Sequence, residues 1–202
     1  MSASCTTTTI RRVDGLAKVT GTAIYGNDMS LPSMLYGVCR YADIAAGKIE
    51  HIDLTEALNI DGVVKIATYQ DIPGEPVVGV IVKDYLPIVK DEVVFHGDVI
   101  AVIAAETYEA ACLAADKIQI SYTPYTPITD VEQALKDDAR LIHPERGNNI
   151  AAHHHTIKGD IDAGFASSAH ILEREYEVGF QEHAYIEPEV VLTWLDPTER
   201  HL

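Results

Sequence analysis

The strongest constraint on the fold lies in residues 97–122. Gly97 leads into VIAVIAA (99–105), an unbroken apolar run of the length and composition of a strand buried on both faces. ETYEAACLAADKI (106–118) follows, and its Tyr108, Ala111, Cys112, Ala115 and Ile118 fall on one helical face. IQISY (118–122) returns to strand character and is stopped by TPYTP, with prolines at 124 and 127. A strand, a helix and a strand joined this tightly must fold back on themselves, which predicts a small unit of mixed helix and sheet.

Other elements extend that unit on both sides. Strands are expected at MLYGV (34–38), KIEHIDLT (48–55), VVKIATY (63–69) and VVGVIV (77–82). Thr55 reads as the N-cap of a short helix EALN, and Asp61-Gly62 as its exit turn. Residues 11–30, with Gly15, Gly21 and Gly26, suggest tight turns and loop-like backbone. Past Pro127 the texture changes. VEQALKD (131–137) and DIDAGFASSA (160–169) read as helices, the latter capped by Asp160, while 144–149 is a turn-rich linker. HHHTIKGD (153–160) looks extended, and HILEREYEV (170–178) and VVLTWLD (190–196) have the alternation of strands.

Composition removes several function classes. Thirty-one acidic residues against 15 basic ones leave a formal net charge of −16, a field that repels a phosphate backbone, so no nucleic-acid partner is expected. No apolar run reaches the roughly 18 residues of a membrane-spanning helix, and MSASCTTTTIRR lacks the basic start and apolar core of a secretory leader. A cytoplasmic protein without a membrane partner is the expectation. Cys5, Cys39 and Cys112 are too few and too scattered for a zinc site or an iron–sulfur cluster on this chain.

Four blocks of the sequence, in order, resemble the large subunits of molybdenum hydroxylases, the xanthine dehydrogenase and aldehyde oxidase family. RVDGLAKVTGTAIYGNDMSLPSMLYG (12–37) is similar to the opening of those subunits, and DGVVKIATYQDIPG (61–74) to an internal Asp-Ile-Pro-Gly stretch. Residues 93–135 follow the family's Gly-x-x-Val-Ala-x-Val-x-Ala-Glu-Thr run, and 158–194 carry its Lys-Gly-Asp and Gln-Glu-His-x-Tyr-x-Glu motifs. Two local departures stand out. Arg40 to Ala46 lacks the Pro and His of the family's Arg-Ser-Pro-x-x-His-Ala, and Asp61-Gly62 replaces Pro-Gly.

The resemblance implies an α+β fold: an N-terminal tail (1–16), an α/β hammerhead domain (17–128), and the beginning of an α+β molybdopterin-binding domain (129–202). It further implies hydroxylation of a purine, an N-heterocycle or an aldehyde with oxygen from water. The family's glycine-rich loop, its arginine-bearing loop and its catalytic glutamate are expected beyond Leu202, so no catalytic residue is expected on this chain and it is not expected to be competent alone. Implied cofactors are molybdopterin, with iron–sulfur clusters and FAD on partner chains or domains. Implied partners are the remaining molybdopterin-binding polypeptide, an iron–sulfur subunit, an FAD subunit and a small-molecule substrate. Gln181 of QEHAYIE is the implied cofactor contact, because a neutral amide donates a hydrogen bond without adding charge.

Competing readings of the same residues are structural. Gln181 could instead satisfy local backbone, and Glu182 and Glu187 could brace the segment rather than serve as bases. His153 and His155 share one side of an extended chain and so are the only pair of the triplet able to converge on an ion, although solvated imidazoles are the simpler reading. A non-catalytic acidic interaction module, or an inactive remnant of such a subunit, is the alternative to the enzyme reading.

Overall fold

The apolar run at 99–105 becomes the middle strand of a three-stranded antiparallel sheet. The structure, a computed structural model, describes residues 12–74, 76–79, 82–186 and 189–195. Strands β1 (Tyr36–Tyr41), β2 (Gly47–Asp53), β3 (Val63–Ala67), β4 (Glu92–Val93), β5 (Val99–Ala105) and β6 (Gln119–Pro124) form two sheets, ordered β1-β5-β3 and β4-β2-β6. Among the described residues there are five α-helices: α1 (Gly15–Val19) before β1, α2 (Thr55–Leu58) and α3 (Tyr108–Lys117) between strands, and α4 (Val131–Ala134) and α5 (Ile161–Ser167) after β6. Every strand pairing among the described residues is antiparallel. This mixture of helices with antiparallel sheets is the expected α+β class.

By backbone contact the chain divides into two units, residues 33–167 and the pair of segments before 33 and after 167. In the first unit, β5 supplies both halves of the core. Its Ala101, Ile103 and Ala105 join Ala57, Ile66, Ala111, Ala114, Ala115 and Ile118 in one cluster. Ile100, pointing the other way as strand alternation requires, joins Ala42, Val89 and Val93 in a second. Ile52 of β2 and Ile120 of β6 touch both clusters, so the two sheets share one continuous apolar interior. Ile100, Ile103 and Ile118 are at most 1% exposed; each such side chain contributes about 1.5–3 kcal/mol of burial.

Strands β5 and β6 belong to different sheets, so α3 links the two. The helical face expected from the sequence needs a correction. The buried stripe of α3 is Ala111, Ala114, Ala115 and Ile118, while Tyr108 is 57% exposed and Cys112 only half-buried. Three alanines let the helix sit close to the sheet and to Ala57 of α2, which a stripe carrying Tyr108 would prevent. The helix begins where Thr107 accepts the Ala110 N–H at 3.1 Å, a side-chain N-cap.

Thr55 is not a cap. It opens α2 after Leu54, and its own N–H donates to Asp53 Oδ1 at 2.8 Å. Gly62 does serve the exit turn, at φ +84°, a left-handed conformation that favours glycine. The described part of the stretch 11–30, residues 12–30, is less loop-like than its glycines suggest, since Gly15 begins α1 and Gly26 a single 3₁₀ turn. Residues 77–82 hold no strand among their described members beyond one bridge, Val78 to Tyr85, and α4 is one turn rather than two. Cap Asp160 behaves as read, its Oδ1 accepting the Ala163 N–H at 2.9 Å.

Residues 40–46, which lack the Pro and His of the resembled motif, are held by contacts of their own. Arg40 holds Asp43 with two bonds of 2.9 and 2.7 Å, the Asp43 N–H donates to the Tyr122 hydroxyl, and Ala42 and Ala46 are buried. Gly47 then runs so close to β6 that a Cβ would stand 2.8 Å from the Thr123 carbonyl oxygen. Burial, followed by the neighbouring Asp43 charge, pushes the Tyr122 hydroxyl above its ordinary pKa.

Beyond β6, residues 130–150 are tied back to earlier parts of the same unit. Arg140 bonds Glu92 and lies 5.0 Å over the Tyr125 ring, and Arg146 bonds Asp84. Asp98, 2% exposed, accepts the N–H groups of Val94 and Phe95 at 2.7 and 3.3 Å. Periodicity gives no sign of these polar nodes. The one available signal for Asp98 was its place in Phe95-His96-Gly97-Asp98, a turn chemistry in which a short carboxylate caps the preceding backbone.

Candidate cofactor-binding segment

Residues 168–195 belong to the second unit. Neither HILEREYEV nor the described part of VVLTWLD forms a paired strand, contrary to expectation. Their alternation is real, but a strand needs a partner edge, and no described residue supplies one. The apolar side chains accordingly face outward: Ile171, Tyr176, Val178, Phe180, Ile186 and Trp194 are all at least 62% exposed. In the same unit Gly26 approaches Val190 so closely that a Cβ would lie 2.8 Å from the valine Cβ.

Gln181 sits in this extended chain with an exposed side chain and no hydrogen bond among the described residues. Its amide is therefore not spent on local backbone. Glu182 is committed locally, accepting the His183 N–H at 3.0 Å, and the Tyr185 hydroxyl donates to Glu189 at 3.0 Å. Glu187 lies outside the described residues. Between His183 and Tyr185, Ala184 adopts φ +50°, a left-handed conformation that costs an alanine about 1–2 kcal/mol.

The histidines behave differently from one another. His143 faces Glu145 at 3.3 Å, whereas His153, His154 and His155 are exposed, with the first and third rings 6.2 Å apart. Among the described residues no three His, Cys, Asp or Glu side chains converge on a point that could hold a metal. Cys39 and Cys112 are free thiols, and Cys5 lies outside the described residues. No described helix is long and apolar enough to cross a membrane.

An antiparallel two-sheet unit precedes the extended Gln-Glu-His segment, and comparison with known families assigns a class to both parts. The chain matches the family described as aldehyde oxidase and xanthine dehydrogenase, a/b hammerhead domain, over residues 20–126. It matches the molybdopterin cofactor-binding domain over residues 142–202. The chain belongs to the aldehyde oxidase and xanthine dehydrogenase family.

Among relatives, it is 37% identical to the nicotinate dehydrogenase large molybdopterin subunit of Eubacterium barkeri, over 92% of this chain and 43% of that one. It is 34% identical to a probable xanthine dehydrogenase subunit of Bacillus subtilis, over 88% of this chain and 24% of that one. The solved aldehyde oxidoreductase from Desulfovibrio gigas superposes with a TM-score of 0.62 at 28% identity, covering 66% of this chain and 16% of that one. The chain thus spans less than half the length of the curated relatives it matches. Two of them carry names of subunits, consistent with a multi-chain assembly.

Proposed function

We propose that this chain contributes the hammerhead domain (17–128) and the first part of the molybdopterin-binding domain (from 129) to a molybdenum hydroxylase. Its substrate class is a purine, an N-heterocycle or an aldehyde, and its oxygen source is water. The observation that carries the reading is the uncommitted Gln181 amide, standing in the stretch that matches the molybdopterin-binding domain. These relatives all bear oxidoreductase names, which favours this reading over an acidic interaction module.

The donor chemistry fits the group. A primary amide offers two N–H donors and no net charge, so it can bond an electron-rich oxygen of the cofactor while leaving the site's charge balance intact. Apolar side chains of the same segment, Phe180, Ile186 and Trp194, are exposed here and suited to packing against further protein that excludes water. When bound, the molybdenum cofactor supplies the redox chemistry of hydroxylation. The part played by this chain is to orient it through Gln181 and to build one wall around it. Iron–sulfur and FAD partners would carry the electrons away.

The test uses the native assembly. The chain is purified with its partners from its own host, and molybdenum content and turnover of nicotinate, xanthine and an aldehyde are measured. Molybdenum close to stoichiometric, with turnover that falls about tenfold or more in Gln181→Ala as expected for a lost oriented donor, supports the reading. Turnover unchanged in Gln181→Ala removes Gln181 from the site. A native assembly without molybdenum overturns the enzyme assignment.

A further inference from the structure

The histidine triplet at 153–155 plays no part in the cofactor reading, and its geometry points to a ligand of its own. Among the described residues none of the three rings takes part in a hydrogen bond or ion pair, and all three side chains are exposed. Their nitrogens are available. The chain here is neither helical nor paired in a sheet, and the rings of His153 and His155 share one side, 6.2 Å apart and tilted by 31°. His154 lies between them in sequence and is not part of that ring pair.

We propose that His153 and His155 form a two-imidazole clip for a borderline divalent transition ion of the zinc, nickel or copper class, with water completing the coordination. Imidazole is a preferred ligand of these ions. With metal–nitrogen bonds of about 2.0–2.1 Å, two imidazoles on one tetrahedral ion have ring centres roughly 5 Å apart. The observed spacing closes to that value by rotation of exposed side chains, which move freely between staggered wells. Two ligands fixed on one short segment bind as a chelate, the second at high effective concentration. Zinc, nickel and copper(II) share this chemistry, so the clip selects a ligand class rather than one element. No carboxylate or thiolate among the described residues joins the pair as a third ligand, which sets the clip apart from a closed structural zinc site.

The test is a calorimetric titration of the untagged full chain with nickel chloride, repeated with zinc chloride, on the wild type and three single variants. His153→Asn and His155→Asn should each weaken binding about tenfold or more, because each reduces a chelate to a single imidazole. His154→Asn should stay within about twofold of wild type, since it lies outside the ring pair. All three positions are exposed, so the variants should fold as the parent does, which circular dichroism checks. Absence of binding by the wild type overturns the proposal. So does an equal loss in His154→Asn, which would indicate a flexible polyhistidine contact, or undiminished affinity in His153→Asn, which would place the ion on other histidines.

Discussion

Asn149 and Ile142 are joined across seven residues by the Asn149 amide oxygen, which accepts the Ile142 backbone N–H at 2.9 Å. The other end of the same amide donates to the carbonyls of Ala134 and Arg140 at 3.1 and 3.0 Å. One side chain therefore satisfies three backbone groups, the carbonyl of the last α4 residue and two groups of the irregular segment after it. Asn149→Ala should destabilise the protein by about 1–3 kcal/mol, the cost of leaving partly buried groups unpaired. Its neighbour Asn148 makes one exposed bond, to the Ile150 N–H, so Asn148→Ala should cost clearly less. Urea denaturation of both variants checks the ranking; equal midpoints would show that the amide knot is dispensable.

Asp98 performs the same service for the turn before β5. With Oδ2 on the N–H groups of Val94 and Phe95 and its own carbonyl accepting from Ala42 at 2.8 Å, it links that turn to the segment after β1. Asp98→Ala should cost about 1–3 kcal/mol by orphaning two donors. Asp98→Asn, which keeps an acceptor oxygen in place, should recover more than half of that loss in the same urea measurement. If the alanine and asparagine variants unfold together, the charge rather than the hydrogen bonds is what matters.

Legibility from sequence followed the reach of the forces involved. The run 99–105 declared strand β5 to the residue because a strand buried on both faces has no polar positions to blur its ends. The face of α3 differs from the expected one because Tyr108 and Cys112 are apolar by type, while the close packing that Ala111, Ala114 and Ala115 permit depends on the distance to a sheet that periodicity does not encode. Residues 170–178 alternate like a strand and remain unpaired, since alternation states which faces differ and not which edge will bond. Gln181 could be singled out only through the motif around it. That its amide is left free of local partners is a property of the folded chain.

The shared interior makes a quantitative claim about β5. Ile103 is fully buried in a cluster with Ile66 and Ile118, whose other members are alanines too short to swell into a hole. Ile103→Ala should cost about 2–5 kcal/mol, toward the upper part of that range because the site collapses poorly. Val64, at the β3 bulge and 55% exposed, should tolerate Val64→Ala within about 0.5 kcal/mol. Thermal or urea midpoints of the two variants check the contrast, and a mild Ile103→Ala would mean that the two sheets do not share one core.

At the N-terminal side, Asp14 sits between Arg12, at 2.6 Å, and Lys18, at 3.0 Å across one turn of α1. Hydrogen bonds from Arg12 first and Lys18 second lower its carboxyl from 3.8 to about 2. A depressed folded value means that these pairs favour the folded turn at full strength above the ordinary aspartate range. Their contribution fades as pH falls through about 2. Since the group is exposed, salt should screen the effect. Carboxyl-carbon NMR titration should place the Asp14 midpoint near 2 at low ionic strength. It should move upward in Lys18→Ala, and upward again in about 1 M salt, where the Debye length is roughly 3 Å. A low-salt midpoint at the unperturbed 3.8 would show that neither cation holds the carboxylate in solution.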